Sequence, residues 1–360
     1  MLFASPFHGR AVEANRLNAW ENRNGFTLAS HYGSVAEEAL AARFSAVLGD
    51  LSWQWRVELS GDKVPAFVSR LFTRDASALG IGAAMDVLWL NDAGAVRGSG
   101  MVIRRDANQF LLLSATEDAA WIENAARLYG VRVSDGTVST AALALVGPAA
   151  VKILAAAGLD GDLPPQRLRP FTWHGLEIWL ARQGLGFVVG CRADDALIVW
   201  DRLAAAGRPF ALLAAGQAAL DILEIESGFV RPGRDYRPAR EGFADTPTPQ
   251  GLGLSALVDR AHLFNGRTGV LAAGPDTRLM GLLYDGDEVP GDTELRKGSE
   301  IIGRTLGGCF SPALQQAIGF AVLPDPVPEG PFSVAGRSCR AIGLPLLPIP
   351  AATETCGPSV

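Results

Sequence analysis

The chain has 360 residues, 48% of them hydrophobic and 19% charged. That is enough apolar material for two or three buried cores, and it excludes a disordered or fibrous chain. The balance of 32 Lys and Arg against 38 Asp and Glu leaves a net charge of −6, and no basic block supplies the cationic face of a nucleic-acid binder. Met1-Leu2-Phe3-Ala4-Ser5-Pro6 lacks the cationic start and apolar run of a secretory signal. The longest apolar stretch, Leu143 to Ala157, is broken by Gly147, Pro148 and Lys152, so no membrane span is expected. Cys191, Cys309, Cys339 and Cys356 stand singly, a pattern of reduced thiols in a soluble cytoplasmic protein.

Ser34-Val35-Ala36-Glu37 is a capping box that predicts a helix to about Val47. Trp53, Trp55, Val57 and Leu59 then alternate with polar residues, the period of a half-buried strand. A short helix over Val64 to Phe72 precedes a hairpin of Val87 to Leu90 and Ala95 to Ile103 around Asn91-Asp92-Ala93-Gly94. A strand at Phe110 to Leu113 leads to a helix over Glu117 to Leu128 capped by Thr116. Pro148 begins a helix through Ala156, since its missing N–H is unpaired there in any case. Strands near Leu176–Leu180 and Gly186–Val189 precede helices at Asp194–Ala205 and Gln217–Ser227. Residues 231 to 253 read as a long irregular connection, of the kind that carries function. Beyond Arg267 come short strands, including Leu279–Tyr284 and Ile318–Val322, predicting a small β-barrel or sandwich.

Generic motifs are sparse. His8, His31, His174 and His262 lie far apart, and no paired Cys/His spacing predicts a metal site. Neither a nucleophile elbow nor a phosphate-binding loop is present. Gly80-Ile81-Gly82 and Gly251-Leu252-Gly253 lack the strand-before, helix-after setting of a dinucleotide site.

Several local patterns nevertheless occur in one order. They are Asp50-Leu51-Ser52 with Gly61-Asp62, Leu90 to Val96, Leu145-Val146-Gly147-Pro148, and Leu223-Glu224-Ile225-Glu226-Ser227-Gly228 followed by Gly233-x-Asp235. Phe264-Asn265-Gly266-Arg267, Arg278-Leu279-Met280-Gly281 and Gly307-Gly308-x-Phe310-Ser311-Pro312 complete the series. Together, from about residue 28 to 346, they resemble the glycine-cleavage T-protein superfamily of folate-binding aminomethyl- and methyltransferases. The resemblance implies an α+β fold of three domains in a ring around a channel, two interlocked α/β units and a C-terminal β-barrel. On that reading residues 1–27 are an N-terminal extension, 28–260 the folate-binding region, 268–348 the barrel and 349–360 a tail. Tetrahydrofolate is the implied cofactor, and Glu226 occupies the position that hydrogen-bonds the pterin edge from the channel wall. A carboxylate suits that task because it accepts two parallel N–H bonds.

The departures from the family pattern point to altered chemistry. The family hairpin continues into an acidic pair that orients the reacting folate nitrogen, where this chain has Ala95-Val96-Arg97-Gly98-Ser99. Ser114 stands at the family's asparagine, Glu224 at its arginine, Val146 at its glutamine, and Pro247-Thr248-Pro249-Gln250-Gly251 replaces Pro-x-Glu-x-Gly. Glycine cleavage itself is therefore not expected. Arg97 either faces the same cavity as Glu226, holding a substrate carboxylate or phenolate with its planar fork, or is an exposed strand arginine. His31 and Tyr32 fall in the segment that lines the substrate side in demethylases resembling this family. There they would move a proton and stabilise an anion; the alternative is a pair that packs on the core. Tyr236 either lines the channel beside Asp235 or is structural, while Trp53 and Trp55 read as a packed face. The catalytic candidates are thus His31, Tyr32 and Arg97, and the cofactor-binding candidates Glu226, Ser114 and Tyr236.

Two enzymatic readings follow. One is tetrahydrofolate-dependent removal of a one-carbon unit, a methyl group, from a small carboxylated or aromatic substrate. The other is a folate-independent lyase releasing formaldehyde from a hydroxymethyl-bearing, lignin-derived aromatic dimer, which would need no cofactor. A third, a non-enzymatic folate-binding helper, fits poorly, because Ala261 to Arg267 lacks the cysteine of such members. The expected partner is a small molecule, with no nucleic acid and no membrane.

Overall fold

The computed structural model describes residues 2–240, 247–274 and 277–349; the expected tail, with Cys356, lies outside these apart from Ile349. The fold is α+β, and the chain divides into two units. One comprises Met1–Trp53, Thr137–Ser227 and Leu347–Val360, the other Gln54–Gly136 and Gly228–Leu346.

In the first unit, Ser34 accepts a hydrogen bond from the Glu37 amide and opens the helix Val35–Phe44. A six-stranded sheet runs in the order Arg167–Trp173, Leu176–Gln183, Gly186–Arg192, Thr140–Val146, Val47–Asp50 and Leu213–Ala215. The helices Ala150–Ala156 and Ala196–Gly207 place Ile153, Leu154, Val199 and Leu203 in one core with Leu143, Leu145, Leu180 and Val189. Each such side chain contributes about 1.5–3 kcal/mol by leaving water. The first 27 residues supply Phe7 to this core and pair Phe3–Ala4 with Phe26–Ala29 in a three-stranded sheet. Arg167–Trp173, not among the expected strands, contains Pro170. It is tolerated because the strand is at the sheet edge, where a missing donor can face outward.

Between Val146 and Pro148 the chain must turn from strand to helix against the end of Val35–Phe44. Gly147 does so at φ +128°, and a Cβ there would lie 2.5 Å from the Ser45 carbonyl oxygen and 2.8 Å from the Ala46 Cα. Both neighbours are backbone, so the position requires glycine for its dihedral and for space.

In the second unit, a five-stranded sheet has the order Ala84–Leu90, Val96–Asp106, Gln109–Ser114, Trp55–Ser60 and Arg132–Asp135. The helices Val64–Leu71 and Ala119–Arg127 cover it, burying Phe67, Val68, Ile122 and Ala126 against Val57, Leu59, Val102 and Leu112. The expected alternation over residues 53–60 is only partly realised. The strand begins at Trp55, Trp53 belongs to the other unit, and Arg56 is buried as well, donating to the Gln54 carbonyl at 2.8 Å. The other two polar positions, Glu58 and Ser60, stay half-buried, so the alternation holds over Val57 to Ser60. The C-terminal β-region closes into a six-stranded barrel of Thr277–Tyr284, Gln316–Pro324, Glu300–Ser311, Gly291–Lys297, Phe332–Val334 and Arg337–Ile342, leaving no unpaired sheet edge.

Gly147→Ala is expected to lower unfolding free energy by about 1–3 kcal/mol, measured by urea denaturation. An unchanged midpoint would show that the strand-to-helix turn tolerates a side chain.

Candidate active site

The six candidate residues divide three and three between the units. His31, Tyr32 and Glu226 lie in the first, Arg97, Ser114 and Tyr236 in the second.

In the first unit, the helix Gln217–Glu226 connects two polar anchors. At its start, buried Glu38 accepts from the Gly216 amide at 2.8 Å with one oxygen, and from Tyr32 and Gly33 amides at 2.7 and 2.9 Å with the other. A Cβ on Gly216 would meet the Ser30 carbonyl oxygen at 2.3 Å, so the segment carrying His31 and Tyr32 passes directly over the helix start. Both side chains are half-buried. The Tyr32 ring packs against the core, and burial, with the charges of Asp50 and Glu38, raises its phenol pKa well above the ordinary value. Tyr32 is therefore a neutral donor at physiological pH.

At the other end of the helix, the Glu226 carboxylate is 1% exposed and accepts from Arg43 Nη2. Arg43 also donates to the carbonyls of Pro348 at 2.6 Å and Leu347 at 3.1 Å, and the Leu347 amide donates to the Glu226 carbonyl at 2.7 Å. Two buried polar atoms beside this pair, Arg43 Nε and Ser227 Oγ, make no hydrogen bond. Buried polar atoms are ordinarily satisfied, so these two are exceptions that leave hydrogen-bonding capacity unused beside Glu226.

In the second unit, the altered hairpin has a definite geometry. The register slips between Trp89 and Leu90, which pair with Gly98 and Val96, so Arg97 is the extra residue of a bulge. A bulge re-aims its side chain. Arg97 Nε and Nη2 donate to the two oxygens of Asp118 at 2.8 and 2.6 Å, and its guanidinium lies 4.8 Å from the Trp121 ring centre. Trp89 Nε1 donates to the same carboxylate at 2.9 Å. At 7% exposed, Arg97 is paired and covered, which sets aside the expectation of an exposed strand arginine. The helix expected to start under a Thr116 cap instead runs Ala119–Arg127 from Asp118, whose side chain makes no capping bond. Its carboxylate is engaged by Arg97 and Trp89. Arg240 adds a second cation, 3.7 Å from Asp118, while donating to the Arg97 and Glu117 carbonyls at 2.8 and 2.9 Å.

Gly98 has a steric cause. A Cβ there would lie 2.1 Å from the Trp89 ring, so the indole fills the space a carboxylate side chain would need. Ser99 follows, with the Tyr236 hydroxyl 3.5 Å from its Oγ. Ser114 donates to the Ser99 carbonyl at 2.9 Å and accepts from the Thr116 amide at 2.9 Å. Tyr236 is buried, which raises its phenol pKa well above the ordinary value despite the Ser99 contact. The substituted positions are thus neighbours, forming a neutral hydroxyl cluster.

Residues 9–260 match the family model described as the GCVT N-terminal domain. The chain belongs to this aminomethyltransferase family. It is 30% identical over 339 residues to an aminomethyltransferase of Thermus thermophilus, covering 91% of this chain and 93% of the relative. It is 28% identical over 325 residues to one from Bacillus subtilis, covering 85% and 87%. The crystal structure of the glycine cleavage system aminomethyltransferase T from Bartonella henselae matches 97% of this chain and 99% of its own, with a TM-score of 0.84 at 23% identity; that likeness shows the fold. The family places the protein among enzymes of one-carbon transfer. Within that family, Asp118, Arg240, Trp89, Arg43 and Glu38 were not anticipated as site residues. Most of their partners are remote in sequence, 183 residues for Arg43 and Glu226 and 21 for Asp118 and Arg97, and no short motif signals such pairs.

Removing one partner of the buried Arg97–Asp118 pair leaves an uncompensated charge. Arg97→Ala is expected to cost about 3–5 kcal/mol of stability, and the Arg97→Ala/Asp118→Ala double variant less than the sum of the two single losses. Additive losses in urea denaturation would show that the two are not coupled.

Alkaline stability follows from the phenols. Their folded pKa values are raised, so their contribution is complete below about pH 10 and is lost as pH climbs through the folded values. The fall in urea midpoint between about pH 9 and 11 should be shallower in Tyr236→Phe than in the wild type. An equal fall would contradict the assignment.

Proposed function

We propose that this protein transfers a methyl group to tetrahydrofolate from a small carboxylated or aromatic donor that departs as an anion. The observation that carries the reading is the filled space at Gly98: Trp89 excludes a carboxylate from the hairpin, while Arg97 and Arg240 share the single carboxylate of Asp118. The family's acid suits a cationic amine. Two guanidinium groups against one carboxylate favour the opposite charge on the group that leaves.

Tetrahydrofolate, when bound, supplies a secondary amine as acceptor of the carbon. Glu226 fits its aminopyrimidinone edge, since an ionised carboxylate has about four acceptor positions, and Arg43 Nε and Ser227 Oγ retain hydrogen-bonding capacity beside it. Arg43 pairs with Glu226 and orients its carboxylate. Ser99 and Tyr236 offer neutral hydroxyls, which accept or donate without imposing charge. Within the first unit, Tyr32, whose phenol pKa is raised by burial, offers a neutral hydroxyl donor with His31 beside it in sequence. In the transfer, the carbon–oxygen bond to the donor breaks, a carbon–nitrogen bond forms, and the amine proton ends on the departing oxygen.

One observation favours a second reading. The acidic groups that in the resembling family orient the folate nitrogen are absent from Ala95 to Ser99, and Ser114 stands for its asparagine, as expected of a folate-independent lyase acting on a hydroxymethyl-bearing aromatic dimer. Folate-stripped protein incubated with aryl methyl ethers and with such dimers, with and without tetrahydrofolate, separates the two. Methyl-tetrahydrofolate formed only in the presence of the acceptor is expected, with tetrahydrofolate affinity reduced about tenfold or more, some 1.4 kcal/mol, in Glu226→Gln. Formaldehyde released at full rate without tetrahydrofolate would install the lyase.

A further inference from the structure

The segment Leu347-Pro348-Ile349 belongs to the first unit and to no helix or strand. The sequence around it, Pro345-Leu346-Leu347-Pro348-Ile349-Pro350, has proline at three of six positions. Proline fixes its own φ and confines the residue before it to extended backbone, so Leu347 and Pro348 have little conformational freedom. Outside any ladder, the carbonyls of such a segment must find donors elsewhere. Two of them find one side chain. Arg43 Nη1 donates to the Pro348 carbonyl at 2.6 Å and Nη2 to the Leu347 carbonyl at 3.1 Å, while the Leu347 amide donates to the Glu226 carbonyl at 2.7 Å. The segment is a short strap bonded to both the guanidinium and the helix end. This anchoring decides how Arg43 meets the Glu226 carboxylate. Arginine and carboxylate pair most strongly through two parallel N–H bonds, as Arg97 does with Asp118. Toward Glu226 only the Arg43 Nη2 donates, to Oε2; Nη1 is engaged by Pro348, and buried Nε makes no hydrogen bond.

We propose that Leu347 and Pro348 are positioning residues of the folate site, holding Arg43 to one oxygen of Glu226 so that the guanidinium does not fork across the whole carboxylate; this rests on the folate reading above. A forked arginine and a planar aminopyrimidinone edge make the same demand on a carboxylate, two parallel acceptor positions. The two therefore compete. While the strap occupies Nη1, Arg43 orients Glu226 without closing over it. A loosened strap frees Nη1 to turn onto Glu226, and the pterin edge must then displace it. Because the prolines stiffen the strap before any ligand arrives, no ordering cost falls on the binding step, which is how preorganised sites gain affinity.

The test is an equilibrium titration of the folate-stripped full-length protein with tetrahydrofolate, with urea midpoints measured alongside. Pro348→Gly, which restores freedom to the strap, is expected to weaken binding roughly fivefold, and Pro348→Ala to weaken it less. The same Pro348→Gly change is then made in an Arg43→Lys background, where a single ammonium group cannot fork across a carboxylate. There its effect on affinity should disappear, the coupling that a double-variant cycle detects. An equal loss in both backgrounds would overturn the proposal, since the strap would not act through Arg43. A lower urea midpoint with unchanged affinity in Pro348→Gly would overturn it too, leaving the strap a purely structural element. Wild-type protein that binds tetrahydrofolate no better than Pro348→Gly would sink the strap and leave the folate reading intact. Wild-type protein that fails to bind tetrahydrofolate would overturn the folate reading and the strap with it.

Discussion

The carboxylate of Asp118 is the constraint on which the second unit's site depends. It receives three N–H bonds, two from Arg97 and one from Trp89, and thereby fastens a helix start to two strands of a hairpin. Each consequence follows in turn. Trp89 is held over Gly98, no side chain can stand there, and the strand must bulge at Arg97 to bring its guanidinium to the carboxylate. Desolvating such charges is expensive, and their attraction offsets that cost only with good geometry. Bidentate pairing, an indole donor and a stacked Trp121 provide it. What the network secures is the placement of Ser99 and its neighbours rather than stability for its own sake.

The family scaffold is kept here while one hairpin is rebuilt. The barrel, the sheets and the glycine at position 147 keep the architecture of the aminomethyltransferases. Arg97, Gly98 and Ser99 of one strand, with the Trp89 indole and the Asp118 carboxylate, form the rebuilt hairpin. Two of the substituted positions, Ser99 and Ser114, lie on adjacent strands and share a hydrogen bond, so the changes form one local rearrangement.

Much of the fold was legible in the sequence because its signals are local. The Ser34 cap, the Asn91–Gly94 turn and the Gly147-Pro148 helix start each announce themselves within four residues. Arg167–Trp173 was not among the expected strands, and its proline is compatible with a strand only at a sheet edge, a position that the sequence does not reveal. Of the site, the motif around Glu226 and the departures at 97–99 were visible, but not what replaces them. A bulge depends on the facing strand, the pairing of Arg97 with Asp118 spans 21 residues and that of Arg43 with Glu226 spans 183. The local cap signal there was Thr116, and nothing within a few residues pointed to Asp118 as a partner of the hairpin.

The helix Gln217–Glu226 is gripped at both ends, by Glu38 at the Gly216 amide and by Arg43 at Glu226. Ten residues of helix span about 15 Å, and each residue turns the next by about 100°. Inserting or deleting one residue between the grips would swing Glu226 away from Arg43 by that angle while moving it only about 1.5 Å along the axis. The helix therefore acts as a gauge of fixed length. Loops in such a protein can lengthen as substrates change, but this segment is free to vary in composition on its outer face and not in its number of residues.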